Sequence, residues 1–241
     1  MKNSFKELSK TLLIAGSIAI FFRSIFFEPF NIPSGSMIPT LLVGDYLFVS
    51  KYSYGYSKYS FPFGLGPIKE RVLYKTPQRG DVIVFRKPGD ETIDYIKRLV
   101  ALPNDTVQVK EGILYINSKK AKRIKTNIGI MKNIFGDEKI FTQYDEIFEG
   151  SNSHKIIEAS DNDPFDDTIL FKVPPNHYFF MGDNRDNSRD SRTPEVGFVP
   201  MKNLIGKAEI IFFSHNSSAS IFEIWKWHKA IRFSRIGMAI E

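Results

Sequence analysis

The stretch Asp94-Tyr-Ile-Lys-Arg-Leu-Val-Ala-Leu-Pro103 sets how the chain is read. Successive side chains of an extended segment point to opposite faces, so Tyr95, Lys97 and Leu99 share one face and Ile96, Arg98 and Val100 the other. Outward from it, short β-branched and aromatic runs recur: Tyr46 to Val49, Val82 to Phe85, Thr106 to Val109, Ile113 to Ile116, His177 to Met181 and Ala208 to Phe213. Gly, Pro, Asn or Asp often bound them, which is turn chemistry between strands. No internal repeat occurs, and no long amphipathic helix interrupts the pattern until the C-terminus. The expected fold is mainly β. Residues 104–171 are richer in Lys, Asn, Asp and Ser and read as a smaller inserted subdomain between two parts of one core, 29–103 and 172–215. Within it, Asp161 to Asp167 is acidic but lacks the central Gly and ligand spacing of a calcium loop, so a solvated turn is expected.

Thr11 to Phe27 is the only segment apolar enough to enter a bilayer. It is short against the roughly 20 residues of a spanning helix. Arg23 interrupts it one turn from the end, where its stem can snorkel to the interface, and Pro29 is expected to stop the helix. A cleaved leader would carry small residues after the run, where Ile25, Phe26 and Phe27 stand. A buried soluble helix also fits the length. A single anchor over 11–28 fits best. Lys2, Lys6 and Lys10 precede it, and no Lys or Arg occurs from Glu28 to Ser50. The excess of positive charge puts 1–10 in the cytoplasm and the rest of the chain outside.

The 241 residues are 42% hydrophobic and 25% charged, a globular mixture with 22 Phe and no Cys. Disulfides, thiolate metal sites and thiol nucleophiles are therefore excluded. The net charge of +6 is spread along the chain with acids interleaved, and no binding-module motif accompanies it, so no nucleic-acid partner is expected. Residues 216–241 form a basic and aromatic segment containing Trp225, Lys226, Trp227, Lys229, Arg232 and Arg235. It is too charged to span a membrane. An interfacial position and packing on the core both suit it.

Three segments carry chemistry. In Pro33-Ser-Gly-Ser-Met-Ile-Pro39, the prolines and Gly35 forbid regular structure and hold Ser34 and Ser36 in a fixed loop. Such a loop can expose a hydroxyl and aim N–H groups at an oxyanion, although Pro-Ser-Gly-Ser is also ordinary turn chemistry. Lys97, between Tyr95 and Leu99, would lose its charge readily on a buried face; on an edge facing water it would keep it. Gly182-Asp-Asn-Arg-Asp-Asn-Ser-Arg-Asp-Ser-Arg192 alternates acids, arginines and small polar residues in a loop that can satisfy itself. Arg185 and Arg189 among the carboxylates exclude a calcium loop. The four histidines, at 154, 177, 215 and 228, sit in no zinc or triad motif. No metal and no cofactor is expected, and a serine with a lysine is the most economical nucleophile and base.

Glu28 to Leu42, Tyr95 to Asp105 and Gly182 to Arg192, in this order after an apolar run, resemble one family: the bacterial type I signal peptidases, or leader peptidases. Arg79 to Phe85 and Gly206 to Ser214 extend the likeness. The resemblance implies a core of coiled antiparallel sheet with a second, inserted β-rich domain. It also implies a membrane-bound serine endopeptidase of the bacterial inner membrane, with its catalytic domain outside. That enzyme would cut signal peptides from secretory preproteins after small residues, in an Ala-x-Ala pattern. It implies Ser36 as nucleophile and Lys97 as base, an oxyanion hole from the Ser34 hydroxyl and the Ser36 N–H, and Ser188 orienting Lys97. Arg98 with Asp183 and Asp190 with Arg192 fall where structural ion pairs are expected. Phe30, Ile32, Tyr95 and Ile96 fall where a substrate groove is lined. Some members carry a second N-terminal membrane segment and a disulfide; this chain shows one anchor and no Cys. A self-cleaving repressor-type peptidase also uses serine and lysine but would need a DNA-binding domain. A non-enzymatic membrane-tethered β domain, or an inactive relative, would not need Ser34, Ser36, Lys97 and Ser188 together.

Overall fold

The computed structural model describes residues 2–132, 138–160, 163–216, 218–219 and 223–241. Helix α1 spans Lys2–Ile25. Its stretch Phe5–Ile25 is long and apolar enough to cross a membrane, and its most apolar window is 6% buried. Leu12, Leu13 and Ile18 stand exposed, a run of apolar surface that suits lipid better than water. The helix stops short of Pro29. Phe27–Asn31 is instead strand β1, paired antiparallel with β2 (Asp45–Ser50). Pro29 is tolerated because β1 is the edge of its sheet. The Tyr56 hydroxyl donates to the Ile25 carbonyl at 3.0 Å and caps the helix end.

After β3 (Val82–Arg86) and β4 (Asp94–Ala101) come β5 (Thr106–Lys110), β6 (Ile113–Ile116) and β7 (Lys119–Lys120). Two longer strands follow, β8 (Lys122–Lys132) and β9 (Glu138–Ile147), then β10 (His154–Glu158) and β11 (Phe171–Lys172). The chain closes with β12 (His177–Met181), β13 (Val199–Pro200), β14 (Leu204–Ser214) and the short α2 (Trp227–Ala230). The expected runs all lie in strands. β8 and β9 are additions: their Lys, Asn and Glu content hid an alternating pattern that is only partly covered, with Ile124, Ile128 and Ile140 exposed.

The protein is mainly β. A curled antiparallel sheet has the order β1-β2-β14-β3-β4-β12-β13. Bulges in β14 and β12 bend it, since each inserts a residue and adds twist. A Cβ at Gly206 would stand 2.2 Å from the Ser50 carbonyl oxygen, so the approach of β14 to β2 admits only glycine there. Met37, Leu41, Leu47, Val49, Val84 and Ile205 fill one core over this sheet. The residues between β4 and β12 add two small sheets, β11-β5-β6-β7 and β10-β9-β8. The first shares a core with the main sheet, because Val107, Val109, Leu114 and Ile116 pack with Val100, Ala101 and Phe179.

One local expectation is changed, and one left open is decided in favour of packing on the core. Asp161 and Asn162 lie outside the described residues, but the rest of that turn is not solvated throughout. Asp166 is buried, receives the Asp163 N–H, and has its acidity weakened by burial. The C-terminal segment packs on the core rather than standing free, apart from residues 217 and 220–222, which lie outside the described residues. Ile211 donates its N–H to Met238, Arg232 and Arg235 reach the buried Asp45, and Ile240 enters the core. Trp225 and Phe233 remain exposed.

Candidate active site

The loop after β1 carries Ser34 and Ser36, and β4 carries Lys97. Ser36 Oγ and Lys97 Nζ lie 2.6 Å apart, both buried. Nζ also donates to the Ile96 carbonyl at 3.0 Å and sits 5.3 Å from the centroid of the Tyr95 ring. Burial pushes the Lys97 amine down to about 8, although Asp190 and Asp183 pull the other way through space. Both of those carboxylates are engaged by arginines, which blunts their pull. A hydroxyl thus faces an amine that is neutral in about a tenth of molecules at pH 7, far more than for an ordinary lysine.

Ser34 Oγ lies 3.3 Å from Ser36 Oγ. A cleft of about 510 Å³ opens over the pair, lined among others by Phe30, Ile32, Ser34, Ser36, Tyr95, Ile96 and Lys97. Its two walls are strand edges. β1 ends the main sheet, and the Asp94–Lys97 part of β4 pairs with β3 only, because β12 reaches β4 from Arg98 onward.

The Gly182–Arg192 loop holds this arrangement from beneath. Asn184 donates its backbone N–H to the Ser36 carbonyl at 3.1 Å and its Nδ2 to the Gly35 carbonyl at 3.0 Å. A Cβ at Gly182 would stand 2.5 Å from the Ser36 carbonyl oxygen and 2.2 Å from Ser188 Oγ, so the loop reaches the serines only through a glycine. Arg98 grips Asp183 with two bonds of 2.8 Å, and Thr40 donates to the same carboxylate. Burial works against the Asp183 carboxylate, but Arg98 overcomes it and holds the acid below its usual range. Asp190 is treated likewise: burial opposes its charge, Arg192 restores it through bonds of 2.9 and 2.8 Å, and the Gly182 N–H adds a third.

The arrangement differs from expectation at Ser188. Its Oγ is buried near the Ser36 carbonyl, the bond to Lys97 is not formed, and the hydroxyl instead helps hold the Asp190 carboxylate ionised. The Ile96 carbonyl fixes the amine instead. Sequence reading also missed Asn184, Thr40 and a buried junction in which Glu146 of β9 takes Arg185 from the loop and Arg123 from β8. Gly-Asp-Asn ahead of an arginine was a usable sign for Asn184. The Glu146 junction had none, since its partners lie far apart in sequence.

Residues 5–213 match the family model described as "Signal peptidase, peptidase S26". Curated relatives named Signal peptidase I include one from Rickettsia typhi, 40% identical over 91% of this chain and 88% of its own length. One from Rickettsia prowazekii is 39% identical with the same coverage. A solved signal peptidase I from Enterococcus faecalis is 26% identical, covering 55% of this chain and 97% of its own, with a TM-score of 0.32. The matched span runs from within the apolar helix, through both serines, Lys97 and the Gly182–Arg192 loop, to the end of β14. With both motif order and overall similarity in agreement, the chain belongs to the signal peptidase family, peptidase S26, and is a serine peptidase that cleaves signal peptides.

Proposed function

We propose that this chain is a membrane-anchored endopeptidase working through a Ser36–Lys97 dyad. The observation that carries the reading is the 2.6 Å approach of Ser36 Oγ to a buried amine whose affinity for protons is lowered. In the reaction, Ser36 Oγ attacks the scissile carbonyl while neutral Nζ takes its proton. The tetrahedral oxyanion receives the Ser34 hydroxyl and the Ser36 N–H. Nζ then gives the proton to the leaving amine, leaving an ester on Ser36. Water attacks that ester with Nζ again as base, which frees the carboxylate product and restores the hydroxyl. The buried Ser188 Oγ, which makes no bond to Lys97 and leans on the Asp190 carboxylate, is suited to accept from the lysine when it becomes an ammonium.

The substrate lies extended between the free edges of β1 and β4 and pairs with them through its backbone. Branched Ile32 and Ile96 beside the dyad suit small substrate side chains, in keeping with Ala-x-Ala. The exposed apolar face of α1 and the positive charge before it support a bilayer anchor with the N-terminus inside and the catalytic part outside. No metal enters any of these steps.

The test is incubation of the full chain with a preprotein, with mass spectrometry of the products. The parent is expected to cut after the small residue. Ser36→Ala should give no product while remaining folded by circular dichroism, and Ser34→Ala should lose on the order of 10²–10³ in turnover. Undiminished cutting by Ser36→Ala overturns the nucleophile; an unchanged rate in Ser34→Ala removes that hydroxyl from the oxyanion hole.

A further inference from the structure

The end of α1 is fastened to the sheet by an ionic network, half exposed at Arg23 and buried at Glu28 and Lys51, that the dyad chemistry does not use. Arg23, in the last helical turn, donates Nε to Glu28 Oε1 at 2.7 Å, and its Nη2 contacts the same oxygen. The other Glu28 oxygen, Oε2, lies 2.5 Å from Lys51 Nζ. Lys51 is 0% exposed, and its Nζ donates onward to the Tyr59 carbonyl at 3.2 Å. The Lys51 backbone N–H bonds the Phe26 carbonyl at 2.9 Å. Burial lowers the affinity of Lys51 for its proton while Glu28 restores it, and Asp94 adds to the restoring side through space. Asp94 opens β4, three residues before Lys97, lines the cleft and pairs with Arg86.

The network therefore meets the β1 wall of the cleft directly and reaches the β4 wall, at Asp94, only through space. Glu28 belongs to β1, which leads directly into Ile32, Ser34 and Ser36. Asp94 belongs to the strand that presents Tyr95, Ile96 and Lys97. Glu28 and Lys51 are both fixed to the sheet, so a tilt of the helix against it has to pull the half-exposed Arg23 off Glu28 and strain the Lys51 N–H to Phe26 and Tyr56 hydroxyl to Ile25 bonds, losing the charge-assisted and backbone bonds that join the two. The helix and the cleft consequently move as one piece. A free linker would let the dyad reach any bond within its span. A locked helix holds the dyad at one height above the bilayer, where only one bond of an embedded substrate can meet Ser36.

We propose that Glu28, clamped between Arg23 and Lys51, is a positioning residue that sets the height and tilt of the cleft over the membrane and so selects which bond of a membrane-embedded signal peptide is cut. This rests on the anchored-peptidase reading above, and it concerns a residue that touches neither the dyad nor the cleft.

The test compares two substrates on the full chain in phospholipid vesicles. One is a preprotein whose signal peptide is embedded in the same vesicles and which carries extra alanines on either side of its cleavage site. The other is a short water-soluble peptide spanning that site. For Glu28→Gln and for the charge-neutral Glu28→Gln/Lys51→Met variant, peptide turnover should stay within about threefold of the parent. Preprotein kcat/KM should fall by on the order of 10- to 100-fold, because a small misplacement is enough to do this. Mass spectrometry should then find cuts at neighbouring alanines that the parent leaves intact. Proportional loss on both substrates with a single cut site would make the network merely structural and overturn the proposal, as would unchanged handling of the preprotein. The paired variant removes both buried charges and keeps the test open if Glu28→Gln alone fails to fold. Failure of the parent itself to cut the soluble peptide would count against the Ser36–Lys97 reading, not against this one.

Discussion

Lys51 and Lys97 are the same residue type, one just past the end of β2 and one within β4 of the same sheet, and both are buried: Lys51 is 0% exposed and Lys97 4%. At the end nearest α1, Lys51 finds Glu28 at 2.5 Å and a backbone carbonyl. In the cleft, Lys97 finds a serine hydroxyl at 2.6 Å and a backbone carbonyl, with no carboxylate in bonding reach. Desolvation pushes both toward the neutral amine. At Lys51 a bonded carboxylate opposes it; at Lys97 the nearest acids, Asp183 and Asp190, are already committed to Arg98 and Arg192. Burial alone thus does not make a lysine a base. The fold must also spend the surrounding carboxylates on other cations, and the Gly182–Arg192 loop does this twice.

The widest separation between the two lysines is expected in turnover. Lys97→Met should lower cleavage of a soluble peptide by at least about 10⁴-fold, since losing one member of a nucleophile–base unit removes most of its effect. Lys51→Met should leave the same reaction within a few fold. A dyad lysine that tolerates replacement, or a Lys51 that does not, would erase the distinction. Stability should show the reverse pattern. Glu28→Gln strands the Lys51 charge in the interior and should cost about 3–5 kcal/mol in denaturant unfolding. Adding Lys51→Met should recover most of that loss. If the second substitution recovers nothing, Lys51 and Glu28 are not a pair in solution.

How far the sequence reaches differs along these same elements. Alternation in Tyr95-Ile-Lys-Arg-Leu put Lys97 on an apolar face, and it is buried there. The chain goes further, burying the opposite face as well, where Arg98 meets Asp183. Local pattern sees a strand and a face, and motif order joins Ser36 to Lys97. Neither sees which polar groups cross the sheet. Glu28 read as the edge of an anchor, yet it is a β1 residue because its partner strand and Lys51 lie just over 20 residues on. Glu146 read as one acid in a polar insertion, yet Arg185 and Arg123 converge on it from both sides. Ser188 was legible as a neighbour of Ser36 and Lys97 and not as a hydroxyl turned toward Asp190, because a hydroxyl rotamer leaves no trace in sequence.

The smallest expected effect gives the sharpest reading of the lysine pair, because it follows from the proton itself. Lys97 binds its proton with an affinity near 8 when folded and an ordinary 10.5 when unfolded. Turnover that needs the neutral amine should rise about tenfold per pH unit up to about 8 and level off above it. For stability, the unfolded chain binds more protons between 8 and 10.5, so Lys97 makes the fold more stable as pH rises through that window and less stable as it falls back toward 8. The amplitude is about 3–4 kcal/mol, from roughly two and a half units at about 1.4 kcal/mol each. Unfolding free energies measured across this range should therefore slope upward more steeply for the parent than for Lys97→Met, with Lys51→Met as the control that keeps the Lys97 contribution. Equal slopes in the parent and Lys97→Met would mean that Lys97 keeps its ordinary proton affinity in the fold. The dyad would then have to be loaded by substrate binding, which dries the cleft, and not by the free protein.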